Sequence, residues 1–552
     1  MADSNRHRIE IDGAEVELEH DGANAELKVR SSNSQLDAAD PKASVWVSAN
    51  AGTGKTHTLT SRVARLLLSG TKPEHILCLT FTRAAAAQMQ TKLYERLGNW
   101  STMAEPALKK ALHRLEDRDL EPDELAKARR LFASALETPG GLKIQTIHAF
   151  CESLLGRFPL EAGVSPHFAL ADDRQSAELL AQARDKVLQA SIDEPETPLA
   201  HAVVKLVGEA DEAAFEMLLG EVTGMRHRIR RYVERAQGLD AAERAVADAL
   251  GVPPGADARS IAAGAIEEID FVAAKSSRDT LSASGTRDKA NAELLSQFIA
   301  DPTPDNWLSS YRFVFLTQKL TPKSEAYVIT DKLAKSSPSA KKWLSEEQRK
   351  VEQIELACRA ARAAALTAAT LRVGCAVLDA YEAEKARRGL LDYDDLITRT
   401  ASLLHSREGT QWVLYKLDMG LDHILLDESQ DTSPQQWDVI VPMLTEFFSG
   451  EGARGFAPGE DGREPGSARS VFVVGDEKQS IFSFQGADPQ EFAMRHTEVR
   501  DMVLNATQTW HDIDLTVSWR TADQILSSVD KTFAPEPMRA GVVAGDDPIH
   551  HE

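Results

Sequence analysis

The chain has 552 residues, 42% of them hydrophobic and 27% charged, which suits a soluble globular protein of about three or four domains and excludes disorder over most of its length. No apolar run approaches the roughly 20 residues a membrane span needs, and the start Met1-Ala-Asp-Ser-Asn-Arg lacks the apolar core of a secretory signal, so no membrane association and a cytoplasmic location are expected. Cys78, Cys151, Cys358 and Cys375 have no paired spacing, which excludes a disulfide framework, a zinc site or an iron–sulfur site. The formal charge of −22 weighs against nucleic acid, but it averages over surfaces, and a basic track needs only local clusters such as Arg226 to Arg231 or Lys341-Lys342-Trp343. The ordinary reading of each cluster is a solvated helix face.

Residues 1–33 are polar. Alternation at Ile9, Ile11, Val16 and Leu18 around Asp12-Gly13 suits a small hairpin, and disorder fits as well. From Val45 the texture becomes α/β. Val45-Trp-Val47 reads as a strand, a Gly-rich turn follows, and His57 to Leu68 has helical periodicity that stops before Gly70. A strand over Ile76 to Phe81 feeds a helix from Arg83 to Leu97, and Leu142 to Thr146 opens another helix through Phe150 and Leu155. This βαβα order predicts a parallel sheet with helices packed over it. From about 160 to 387 helical segments dominate, the last running from Ile354 to Arg388 and ending at Gly389. Strand signals resume at Asp422 to Leu426 and Val471 to Val474, separated by a loop rich in Gly, Pro and Glu over Ser449 to Ser470.

The turn Ala49-Asn50-Ala51-Gly52-Thr53-Gly54-Lys55-Thr56-His57 has P-loop spacing, with Ala49 where Gly is usual. Gly52 and Gly54 let backbone N–H groups close around phosphate oxygens, and the following helix points its positive end at them. Lys55 then reaches the β- and γ-phosphates of ATP and the Thr56 hydroxyl ligates Mg²⁺. Such a site also needs an acid for Mg²⁺ and a base for water. Ile424-Leu-Leu-Asp427-Glu428 ends an apolar strand in adjacent carboxylates that point opposite ways, so Asp427 can hold the metal and Glu428 can serve as the base. A plain acidic turn is the alternative.

On these residues the chain resembles the UvrD/Rep group of superfamily 1A helicases. Gln35 lies where the group places its adenine-reading glutamine. Thr80-Phe81-Thr82-Arg83-Ala, Thr146-Ile-His148-Ala-Phe150, Leu391-Asp-Tyr-Asp-Asp-Leu396, Gly475-Asp-Glu-Lys-Gln479 through Phe484-Gln-Gly486, and Val517-Ser-Trp519-Arg520 are similar to its successive motifs. The wording of the P-loop, of Ile147 to Leu155 with Arg157 to Gly163, and of Val474 to Gly486 is most similar to helicase–nuclease subunits of the AddA type.

The resemblance implies a RecA-like P-loop lobe in two parts, 34–159 and 388–502, interrupted by an all-helical insertion over 160–387. A second RecA-like lobe would be only begun at 503–552. It implies a 3′-to-5′ ATP-dependent DNA helicase acting in double-strand-break repair and recombination, with an AddB-like partner subunit. Gln479 would sense the γ-phosphate, Arg520 would contact it, and Trp519 would stack on adenine in place of the usual Tyr. Phe81, Thr82, Arg83, His148 and Phe484 would line the path of single-stranded DNA, the phenylalanines offering faces to bases. Gln88, Ala84 and Gln485 depart from the group's pattern without removing a group required for hydrolysis. With the second lobe incomplete, the isolated chain is expected to bind ATP–Mg²⁺ and single-stranded DNA weakly and to hydrolyse slowly. A UvrD-type helicase without a nuclease, and an ATP-gated single-stranded-DNA-binding module that never unwinds, are the alternatives.

Overall fold

The computed structural model describes residues 7–11, 14–18, 32–405, 410–418, 420–449, 469–480 and 489–539. Phe484, Gln485, the Asp12-Gly13 turn and most of the loop expected between Ser449 and Ser470 lie outside the described residues. Two strands near the start, β1 (His7–Ile11) and β2 (Ala14–Leu18), pair antiparallel, as their alternation suggests.

The chain divides into two compact units, residues 1–170 with 391–552, and residues 171–390. In the first, β3 (Ser44–Ala49), β4 (Ile76–Thr80), β5 (Lys143–Thr146), β6 (His423–Leu426), β7 (Ser470–Gly475) and β8 (Trp510–Leu515) form one sheet in the order β8-β3-β7-β6-β4-β5. All five pairings are parallel. This is the α/β, RecA-like arrangement that the apolar runs and intervening helices predict.

Alternation along each strand divides the core between the two faces. Trp46, Leu77, Leu79, Ile424, Leu426, Val471 and Val473 pack into one apolar cluster, with Phe150 and Leu154 of the helix Ile147–Arg157 and Trp437 of the helix Pro434–Ser449. Val45, Val47, Ile76, Cys78, Leu425, Phe472 and Val474 pack into the other, with Leu59 and Val63 of α1 (Lys55–Ser69) and Met89 and Leu93 of α2 (Arg83–Thr102). The central strands are therefore buried on both sides.

The fold corrects three expectations. The sequence places the start of a second lobe at 503, yet β8 pairs with β3 from Trp510↔Ser44 to Leu515↔Ala49 and so extends the first sheet. Its Trp-His-Asp-Ile-Asp-Leu sequence buries only Leu515, because an edge strand is paired on one side alone. The long helix of the second unit begins at Pro338, well before Ile354, and runs to Arg388, where Gly389 at φ 64° ends it. Pro338 is a natural first-turn residue. This helix also contains an apolar stretch long enough by composition to cross a membrane, where none is expected from the sequence. In the fold that stretch supplies buried residues such as Ala361, Ala364, Val373 and Val377 to the unit's own helical core.

The amino-terminal edge of the sheet carries a buried polar network that composition does not reveal. Arg62 of α1 is fully buried and donates to the carbonyls of Ala38 at 3.2 Å, Asp40 at 2.6 Å and Ala43 at 2.5 Å, and to the Ser470 hydroxyl at 2.9 Å. His423 of β6 shares Ser470, with Nδ1 2.8 Å from that hydroxyl and Nε2 3.2 Å from Thr71 Oγ1. Alongside, His75 Nδ1 lies 2.7 Å from Asp422.

Burial, helped by the Arg62 charge and opposed by Asp422, pushes the His423 imidazolium pKa from 6.5 down to about 3. Between those values the unfolded chain binds the extra proton, so stability rises with pH there and is lost as the pH falls below 6.5. His423→Gln should flatten this dependence by up to ~1.4 kcal/mol per pH unit relative to wild type, read from urea midpoints between pH 7 and 5. Parallel curves for the two proteins would refute the assignment.

Candidate nucleotide-binding site

Strand register brings the motifs together. Ala49 ends β3 beside Leu515 of β8, Ser48 pairs with Gly475 of β7, and Val473 of β7 pairs with Leu426 of β6, so the segments that follow these strands leave one carboxyl edge side by side. The chain passes from β3 to β4 across two intervening strands, and ligand crevices of open α/β sheets form where such a switch occurs.

The P-loop backbone is built for an anion. Gly52 and Gly54 adopt φ 80° and 90°, which L-residues rarely reach, and Gly54 caps α1 with no side-chain hydrogen bond and no acidic residue in the first turn. The amides at the start of α1 and the positive end of its dipole thus face the loop without a carboxylate to neutralise them. Thr53 closes the turn by donating its hydroxyl to the Asn50 carbonyl at 2.8 Å, and Gln35 Nε2 donates to the Thr53 carbonyl at 2.9 Å. These features fit the phosphates of a nucleotide.

Opposite the loop, β6 ends in Asp427 and Glu428. The Lys55 ammonium lies 2.6 Å from Glu428 Oε2, in an ion pair whose lysine is 10% and whose glutamate is 35% exposed. Glu428 holds this place in a left-handed conformation, φ 48°, a cost that residues at working sites often carry. Asp427 is buried, and its carboxyl is pushed up to about 6, first by burial and then by the Glu428 charge, with Lys55 opposing. Asp431 is also raised to about 6 by burial and Glu428. A buried carboxylate with raised proton affinity next to a lysine and a hydroxyl-bearing P-loop residue, Thr56, suits a divalent cation, whose charge would restore the ionised form. Among the described residues no cluster of three or more His, Cys, Asp or Glu forms a cage of its own, as befits an ion held largely by phosphate and water.

The segment after β7 joins both sides. Gln479 Nε2 donates to Asp476 Oδ2 at 2.5 Å, and Lys478 Nζ donates to the Asn50 side chain at 2.8 Å. Gln430 donates Nε2 to Glu428 Oε2 at 2.8 Å and accepts the Asp476 amide on Oε1 at 2.9 Å. The segment after β8 lies against the P-loop itself: the Trp519 amide donates to the Gly52 carbonyl at 3.0 Å, and the Ser518 hydroxyl to the Ala51 carbonyl at 3.0 Å. A methyl group at Gly52 would sit 2.7 Å from Arg520 Cβ, so the loop needs glycine there for space as well as for its backbone angle. His57, one turn into α1, has its Nδ1 3.4 Å from Arg96.

At the neighbouring strands β4 and β5, paired through Thr80↔Thr146, the motif threonines have a local structural task. Thr82 caps α2 by accepting the Ala85 amide at 3.0 Å, and Thr146 caps α3 (Ile147–Arg157) by accepting the Ala149 amide at 3.2 Å. Phe81 is half-buried and Arg83 is exposed. The His148 ring meets Tyr393 edge-on at 5.7 Å, and burial lowers its pKa, with Asp394 opposing and Arg83 reinforcing. Asp392 and Asp395 cap the helix Tyr393–His405 reciprocally, at 2.9 and 3.0 Å, which is why paired aspartates suit that motif. Sequence reasoning singles out none of Gln430, Lys478, Ser518 or Tyr393. Their positions inside motifs are the available signal, but their partners lie up to 467 residues away.

The model of the UvrD/REP helicase N-terminal domain matches residues 31–499. The chain belongs to this family. Among its UvrD/REP relatives is the AddA ATP-dependent helicase/nuclease protein of Latilactobacillus sakei subsp. sakei, 24% identical over 484 residues, covering 82% of this chain and 49% of that protein. Proteins of the same name from Lacticaseibacillus casei and Enterococcus faecalis are 24% and 26% identical, covering 89% and 83% of this chain and 38% and 35% of their own lengths. The chain thus spans less than half the length of these curated relatives.

Gly475 is the point where this UvrD/REP-type edge is most crowded. A methyl group there would meet Gln430 Oε1 and Ser429 Oγ at 2.8 Å and Phe492 at 2.9 Å. Gly475→Ala is expected to cost ~1–3 kcal/mol of stability through overpacking, measured as a lower urea midpoint. An unchanged midpoint would show that the neighbours give way freely.

Proposed function

We propose that the chain carries the ATP-hydrolysing site of a DNA helicase of the AddA type, a 3′-to-5′ motor working in double-strand-break repair with an AddB-like partner subunit. The observation that supports this reading best is the meeting of Lys55 and Glu428 at 2.6 Å across the crevice, with the motif segments of Gln479 and Arg520 anchored to the same P-loop edge.

In this reading Lys55 exchanges a carboxylate for the β- and γ-phosphates of ATP, which compete for its ammonium with more charge and more acceptor oxygens. Release of Glu428 from the ion pair leaves its carboxylate able to accept a proton from water, so one side chain movement both grips the phosphates and frees the base. Thr56 and Asp427 hold Mg²⁺, which supplies charge neutralisation at the transferring phosphoryl group. Gln479 senses the γ-phosphate and Arg520 offers positive charge where negative charge develops. Gln35, through its hold on the Thr53 carbonyl, sits where a base edge can be read, and Trp519, 42% exposed, offers a face for adenine.

Single-stranded DNA runs over the ends of β4 and β5, using Phe81 for stacking, Thr82 and Arg83 for phosphate, and His148 as a neutral ring braced by Tyr393. Phe484 belongs to the same proposed path by family resemblance.

Steady-state ATP hydrolysis with and without single-stranded DNA tests the reading. Lys55→Ala and Glu428→Gln should each lower the DNA-stimulated rate by ~10²-fold or more, and Glu428→Gln should still bind nucleotide. Hydrolysis that survives both substitutions would overturn the site assignment.

A further inference from the structure

We propose that Gln430 is the positioning residue for the Glu428 carboxylate, an inference that rests on the ATP-hydrolysis reading above. Gln430 is 2% exposed and its amide is used at both ends. Nε2 donates to Glu428 Oε2 at 2.8 Å, and Oε1 accepts the Asp476 amide at 2.9 Å. Its main-chain carbonyl accepts the Ser480 hydroxyl at 3.2 Å.

The amide has only one workable orientation. Flipped, it would turn its oxygen toward the Glu428 carboxylate and its NH₂ toward the Asp476 N–H, so both contacts would become repulsive. An apolar side chain of similar size would fill the space without the cost of burying an amide, so the bonds rather than the volume account for a glutamine here. The surroundings are shaped around it, since a methyl group at Gly475 would lie 2.8 Å from Gln430 Oε1.

Glu428 Oε2 has two donors, and they differ in what else can claim them. The Lys55 ammonium, at 2.6 Å, is the group that phosphates would draw away. The Gln430 amide is committed to protein groups alone. When Lys55 leaves, Gln430 remains to hold a carboxylate that stands on a left-handed residue at φ 48° and has no regular strand to align it. Both anchors of Gln430, the Asp476 amide and the Ser480 hydroxyl, lie in the segment that contains Gln479. A shift of that segment would therefore move the amide that orients the base. The expected signature is a loss in the chemical step with nucleotide affinity kept.

The test uses the whole chain in single-turnover hydrolysis of radiolabelled ATP in the presence of single-stranded DNA, with affinity measured separately by a fluorescent ATP analogue. Gln430→Glu keeps the size and the acceptor for the Asp476 amide but turns an oxygen toward Glu428; Gln430→Ala removes both contacts. Each should slow hydrolysis by ~10–100-fold, the scale of a misplaced catalytic group, with affinity within about twofold of wild type. Gln430→Glu should keep the urea midpoint closer to wild type than Gln430→Ala does.

Lys55→Ala runs alongside. If it abolishes hydrolysis while both Gln430 variants keep the wild-type rate, or lose affinity rather than rate, the proposal is overturned and the site reading stands. If wild-type hydrolysis does not depend on Lys55, the site reading fails and the proposal with it.

Discussion

The pairing of Lys55 with Glu428 holds the carboxyl edge of the sheet together. Lys55 begins α1, directly after β3, while Glu428 ends β6, and β7 lies between those two strands. The ion pair therefore bridges over the end of β7, where the Asp476–Gln479 segment emerges. It is sheltered enough for its charges to matter and open enough for another anion to replace the carboxylate. Asp427 and Asp431 both feel the Glu428 charge and both have raised proton affinity, so the lysine offsets a local excess of negative charge. Removing it would leave the acids facing one another.

The two edges of the sheet solve opposite problems. At the amino-terminal edge, Arg62 is a buried cation held by three carbonyls and a hydroxyl, which fix the 38–43 segment, α1 and β7 relative to one another. Those acceptors are backbone or short side chains with little freedom, so this edge has one arrangement. At the carboxyl edge the contacts are between long side chains, Lys55, Glu428, Gln430, Lys478 and Gln479, each able to take a different partner by rotation. A rigid edge at one end of α1 and an exchangeable one at the other is a sensible division for a helix whose first residue must change partners.

Much of this is legible in the sequence, for reasons that can be named. Strands buried on both faces read as short apolar runs, so β3, β4, β6 and β7 stand out to within a residue or two. Gly52 and Gly54 stand out because few other residues reach their backbone angles. By contrast, β8 does not read as a member of the sheet, because an edge strand with polar alternate positions, His511, Asp512 and Asp514, does not look buried. The start of the long helix is hidden because the Lys- and Glu-rich sequence after Pro338 has no apolar period of its own length. Arg62 and Gln430 are illegible in a deeper sense: nothing local says that an arginine beside Ser61 is buried or that a glutamine beside Asp431 spans two strands. Composition and motif spacing report residue types, whereas partners 408 and 46 residues away are set by the register of the sheet.

The charge balance also acquires a physical meaning in the proposed reading. A chain with a formal charge of −22 cannot rely on a general attraction for a polyanion, so its contacts with DNA have to be local and partly uncharged. The residues gathered at the ends of β4 and β5 have that character. Phe81 offers a ring face, His148 is kept neutral by burial and braced by Tyr393, and Arg83 alone among the candidate contact residues there adds a positive charge, at the start of α2 where the helix dipole has the same sign. Stacking on such surfaces is tolerant of base identity, which suits a motor that must pass over any sequence. The same helix ends that cap on Thr82 and Thr146 also aim their dipoles at this path. Local helix geometry, set by two threonines, thereby supplies positive potential that the overall composition withholds.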